Sequence, residues 1–98
     1  MKIHYLTVDG MFSGTGIRDS VRGGYLNPEE LGLSADLVKE ISLWLARYAD
    51  AHYAQFKDKH ENEALDQAGI AICKMLRDAL PQSKIEYFSN AAMRKIAC

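Results

Sequence analysis

The chain is poor in the residues and patterns that most chemistries require. Two cysteines, Cys73 and Cys98, occur in 98 residues and form no C-x-x-C pair, which excludes a disulfide framework and a zinc-ribbon spacing. Cys73 falls in an apolar helical pattern and is expected to be a buried free thiol, with Cys98 exposed and reactive. No apolar run approaches the roughly 18 residues that a membrane-spanning helix needs. The opening stretch Met1–Asp9 lacks both the apolar length and the small-residue cleavage site of a secretory signal, so the expected location is the cytoplasm. Basic residues do not predominate either. Twelve Lys and Arg stand against 13 Asp and Glu, for a net charge of −1, without the basic excess typical of nucleic-acid binders.

What is present belongs to a single globular domain spanning 1–98. The composition is 48% hydrophobic and 26% charged, and a chain of this length supports one core. Charge is unevenly distributed. Residues 25–66 carry nine acids against Lys39, Arg47, Lys57 and Lys59, whereas the segments on either side are net positive. An acidic middle fits a basic partner or a solvated helical face. Glycine is uneven as well: five of the seven fall between Gly10 and Gly24, marking backbone that turns sharply or is closely approached.

Periodicity supplies the elements. Lys2–Val8 is rich in β-branched and aromatic residues and predicts a strand covered on both faces. The glycine-rich stretch follows, with Gly16–Arg18 and Gly24–Leu26 as short strand candidates. Asn27-Pro28 opens a helical turn that Gly32 ends. Ser34 then caps a helix over about Ala35–Phe56, whose apolar stripe is Leu37, Ile41, Trp44, Leu45, Tyr48, His52 and Phe56. The polar stretch Lys57–Asn62 reads as a connection. A second helix covers roughly Glu63–Leu80, with Gly69 expected to pack against the Trp44 side of the first, and Pro81 stops it. Lys84–Phe88 alternates as a strand lying beside the first. Ser89 is expected to cap a short C-terminal helix over Asn90–Ile96. The fold class is α+β: a two- to three-stranded sheet packed against two long antiparallel helices, with that short helix at the end.

No motif for catalysis accompanies this framework. Gly14-Thr-Gly16 follows a strand, but Ile17-Arg18 stands where a Walker loop has lysine and serine or threonine. Asp19 occupies the position of the third glycine of a dinucleotide fingerprint, and no long helix opens at the loop to face a phosphate. His4, His52 and His60 form no metal-ligand spacing, and no serine or cysteine sits in a nucleophile motif. The expectation is a protein that is not an enzyme and needs no cofactor. Trp44 and Tyr48 are expected in the core, while Tyr53 and Phe56, next to the charged connection, are candidates for a partner surface.

Several segments together resemble a known family: Met11-Phe-Ser-Gly-Thr-Gly-Ile-Arg-Asp19, Gly23-Gly-Tyr-Leu26, Leu31-Gly-Leu-Ser34, the helix with Trp44, Tyr48 and His52-Tyr53, and Ile85-Glu-Tyr-Phe-Ser89. They look like small bacterial immunity proteins of contact-dependent growth inhibition and related polymorphic toxin systems. That resemblance implies a cytoplasmic protein that binds a cognate toxin domain and blocks its active site or substrate surface. Many such toxins are nucleases acting on tRNA or DNA, and an acidic patch would meet their basic surfaces. The candidate partner-binding residues are Glu29, Glu30, Tyr53, Asp58, Glu61, Glu63 and Asp66. The alternative is a small ligand- or nucleic-acid-binding regulatory module using the glycine-rich loop with Arg18 and Arg22, or the C-terminal Arg94-Lys95.

Overall fold

The computed structural model describes residues 4–98, so Lys2 and Ile3 of the expected first strand lie outside the described residues. The elements run β1 (Tyr5–Asp9), β2 (Ile17–Asp19), α1 (Ala35–Tyr53), α2 (Lys59–Ala79), β3 (Lys84–Ser89) and β4 (Arg94–Ile96). The sheet is mixed, in the order β2-β1-β3-β4. β1 pairs in parallel with β3, placing Val8 opposite Tyr87, while β2 and β4 return antiparallel on the outer sides. A parallel pair cannot be closed by a tight turn and needs a long crossover, which the two helices supply.

Alternation along the strands divides the sheet into two faces. Leu6, Val8, Ile17 and Tyr87 are fully buried in the core with the helices. The opposite face is polar yet closed over the central strand. Thr7 Oγ1 donates to Glu86 Oε1 at 3.0 Å and accepts from Ser20 Oγ at 2.7 Å. Asp9 receives Arg18 Nε at 3.0 Å and the Tyr25 hydroxyl at 2.8 Å. A buried carboxylate is tolerable only with such partners. Arg18 is therefore committed to Asp9 rather than free to meet an anion.

The helices follow the apolar spacing. In α1 the buried stripe is Leu37, Ile41, Trp44, Tyr48 and Ala51, and Ser34 Oγ accepts the Leu37 N–H as a cap. In α2 it is Leu65, Gly69, Ile72, Cys73 and Leu76. Trp44 Nε1 donates to the Leu65 carbonyl at 2.9 Å, and Arg47 pairs with Glu61 at 2.7 Å, which fixes the antiparallel register. Cys73 is buried as expected, and burial pushes its thiol well above the ordinary value. Cys98 is half-buried rather than exposed, its Sγ receiving the Arg77 guanidinium at 3.2 Å.

Four expectations are corrected. The sheet has four strands instead of two or three, because both short flanking segments pair with the central strands. The C-terminal helix is absent: Arg94–Ile96 is strand β4. Ser89 Oγ does accept the Ala92 N–H, as a cap would, but Met93 then takes a φ of 55° and reverses the chain onto β3. α2 begins at Lys59, four residues before the expected start, because Asp58 Oδ1 accepts the Glu61 N–H and caps it. Gly69 packs against strand β3 rather than α1: a Cβ built there would lie 2.4 Å from the Tyr87 ring.

Candidate functional site

Parallel pairing of β1 and β3 brings their carboxyl ends to the same edge of the molecule, where Asp9 lies opposite Phe88. Three connections meet there: the loop from Gly10 to Gly16, the turn from Ala54 to Asp58 between the helices, and the turn from Asn90 to Met93. In sheets with parallel strands, this edge is where loops free to vary converge.

Asn90 joins two of these connections. With its amide oriented to satisfy its neighbours, its side-chain oxygen accepts from the Gly10 and Met11 N–H groups, each at 3.2 Å. Its own N–H donates to the Tyr48 hydroxyl at 3.1 Å. From there a chain of hydrogen bonds runs inward, Tyr48 to Tyr87 at 3.3 Å and Tyr87 to Asp66 Oδ1 at 2.7 Å. Ser89 Oγ donates to the other Asp66 oxygen at 3.1 Å. His52 Nε2 donates to the Gly10 carbonyl at 2.9 Å, so both sides of the Gly10 backbone are held. The loop is thereby fixed to α1, α2 and β3 at once.

Above this support the surface is apolar and aromatic. Phe12 meets His52 and Tyr53 edge-on, with centroids 5.9 and 5.4 Å apart. Phe56 meets His52 at 4.8 Å and Tyr48 at 5.9 Å, both edge-on, and is half-buried. Tyr53 is 78% exposed, and Met11 and Phe12 are each 46% exposed. The non-glycine residues with positive φ among the described residues are Ser13, Gln55, Phe56 and Met93, and all belong to these three connections. Each such conformation costs about 1–2 kcal/mol, and outliers of this kind concentrate where a surface serves binding rather than stability.

Five of the seven candidate residues lie at this edge. Tyr53 ends α1. Asp58 caps α2, and Glu61, in its first turn, pairs with Arg47. Glu63 is exposed and lines a shallow groove with Lys59, Asn62, Asp66, Ala91 and Ala92. Asp66 is half-buried and occupied by Tyr87 and Ser89, so its part is to hold the edge together. Glu29 and Glu30 are elsewhere. Their turn sits by the start of β1, where Leu31 lines a groove with His4 and Tyr5. Sequence reasoning missed Met11, Phe12 and Asn90. The signal that existed for Met11 and Phe12 was two large apolar residues inside a glycine-rich loop.

Burial and the Asp66 carboxylate hold the Tyr87 phenol far above its ordinary value, and burial and Asp9 raise that of Tyr25. Because the folded value of the fully buried Tyr87 is raised, the stability it represents is complete below the unfolded phenol value of about 10 and is lost as pH rises beyond it. In an alkaline titration followed by tyrosinate absorbance, Tyr87 should ionise only together with unfolding. Ionisation of all five tyrosines without loss of helical circular dichroism would contradict this.

Among the described residues, no helix is long and apolar enough to cross a membrane. No curated protein matches the chain. A family model, described as Serratia CdiI immunity protein-like, matches residues 10–90, from the glycine that carries the loop to the asparagine that holds it, and the chain belongs to that family of contact-dependent growth-inhibition immunity proteins.

Proposed function

We propose that this protein acts in the cytoplasm by binding a cognate toxin domain with nuclease activity, on tRNA or DNA, and occluding its active site or substrate surface. Membership of the immunity family supports the toxin-neutralising role. The observation carrying the finer reading is the convergence of Tyr53, Asp58, Glu61 and Glu63 at one edge built from three held connections. The segment from Asp50 to Asp66 carries five acids against Lys57 and Lys59. Glu61 is paired with Arg47 and Asp66 is taken up by Tyr87 and Ser89, which leaves Glu63 as an exposed carboxylate of the edge. Such a surface favours a basic partner and speeds its approach, by tenfold or more at low ionic strength, on the order seen for steered association. Glu29 and Glu30, on another part of the surface, fall outside this reading.

Co-purification with the toxin domain encoded beside this chain, followed by a nuclease assay, is the direct test. A stable complex with loss of cleavage is expected, and the absence of a complex at micromolar concentrations overturns the proposal. Charge reversal at Glu61 and Glu63 should slow association by about tenfold at low salt and much less at high salt. An unchanged on-rate removes these two residues from the interface.

A further inference from the structure

The strongest unassigned feature is the apolar knuckle formed by Met11, Phe12 and Tyr53. Loop residues of this size normally turn inward, because exposing them forgoes the gain from burial. Here the backbone prevents it. Asn90 holds the Gly10 and Met11 N–H groups, His52 holds the Gly10 carbonyl, and a Cβ built on Gly10 would lie 2.4 Å from the Tyr48 ring. The chain therefore leaves the core at Gly10 with Met11 and Phe12 directed outward. Phe12 rests edge-on against Tyr53, so each ring limits the motion of the other. A pair of aromatics ordered before binding loses little entropy on association, which is the property of an interface anchor.

The surroundings say what it fits. The connection that follows Tyr53 leads to Asp58, Glu61 and Glu63, while the turn held by Asn90 adds Ala91 and Ala92 to the groove that Glu63 lines. Flat rings beside carboxylates present the same two features as a nucleic-acid strand, stacking faces next to negative charge. A groove that binds such a strand answers with aromatic or apolar platforms and basic side chains.

Resting on the reading above that the toxin domain is a nuclease, we infer that Met11, Phe12 and Tyr53 are the anchor of the interface and enter the nucleic-acid-binding groove of the toxin domain. The rings occupy the base-stacking positions and the exposed Glu63 carboxylate a phosphate position, with Glu61 beside it held by Arg47. Asn90 and His52 are positioning residues that hold the anchor outward.

The test is the affinity of the purified chain for the toxin domain encoded beside it, measured by surface plasmon resonance for Phe12→Ala, Tyr53→Ala and the double variant. Both substituted side chains are solvent-facing, and a thermal melt checks that each variant is folded. The double variant is expected to bind at least 100-fold more weakly, through faster dissociation, while Val21→Ala, apolar and exposed on another part of the surface, keeps wild-type affinity. Tyr53→Ala alone, the most exposed of the set, is expected to lose at least tenfold. If wild type binds and the double variant binds within threefold of it, the anchor is overturned while the toxin-neutralising reading stands. If wild type does not bind, both fall. A second measurement tests the occupant. A short single-stranded oligonucleotide that the toxin binds should compete with the wild-type chain, and simultaneous binding of both would place the anchor outside the groove and overturn that assignment.

Discussion

Trp44→Ala should destabilise the protein by about 3–5 kcal/mol, the range for removing a large aromatic from a packed core. Trp44 is 3% exposed, lies against Tyr48 and Tyr87 with centroids 5.1 and 6.2 Å away, and donates its indole N–H to the Leu65 carbonyl. It therefore joins α1, α2 and the sheet through one side chain. A domain of this size has about 5–15 kcal/mol in all, so the variant should keep only part of its stability. Its melting temperature should fall by more than about 12 °C, at the usual sensitivity for a domain this small. Urea denaturation followed by circular dichroism measures it, since the only tryptophan has been removed. Trp44→Phe keeps an aromatic face and should fall between the two. A loss below about 1 kcal/mol for Trp44→Ala would mean that the helices and sheet are held mainly by other contacts.

What the sequence revealed of this fold follows from range. The stripe Leu37, Ile41, Trp44, Tyr48 is a local periodic signal, and both helices and the two central strands could be read from such signals. β2 and β4 are three residues each, too short for a period, and they exist because a longer neighbour offers an unpaired edge. The start of α2 was legible in retrospect: Asp58-Lys-His-Glu61 has the spacing of a capping box, but its polarity reads equally as a loop. Gly69 illustrates the limit from the other side. The sequence shows that something approaches closely there, while only the sheet shows that it is Tyr87.

The candidate edge was legible in part for the same reason. Acids between Asp58 and Asp66 stand out in one dimension, and a helix start gathers them. Nothing in one dimension separates Asp66, consumed by Tyr87 and Ser89, from Glu63, which faces solvent. The roles of Met11, Phe12 and Asn90 depend on contacts across more than 40 residues. Asn90 reaches Gly10 only because β1 and β3 run in parallel, so that their ends coincide.

Two glycines should show how the core and this edge are coupled. Gly69→Ala aims a methyl at Tyr87, 2.4 Å from its ring, and Gly10→Ala does the same to Tyr48. Alanine favours a helix by about 1 kcal/mol over glycine, which opposes the damage at Gly69. Overpacking costs about 1–3 kcal/mol and more where the neighbour cannot move. Tyr87 cannot move easily, since β3 fixes its backbone and Asp66 and Tyr48 hold its hydroxyl. The net effect of Gly69→Ala should therefore be a loss of about 2 kcal/mol, and Gly10→Ala, with no helix to favour it, should lose about 3. Their combination should lose less than the sum, because displacing either tyrosine already breaks the one hydrogen-bond chain that joins them. Gly10→Ala should also weaken toxin binding, since Met11 and Phe12 follow directly from it, whereas Gly69→Ala should leave affinity within about threefold, the damage lying in the core. A double-mutant cycle by urea denaturation, run beside the binding assay, reads both effects. Additive losses would show the two tyrosines acting independently, and unchanged binding for Gly10→Ala would show that the anchor does not need its support.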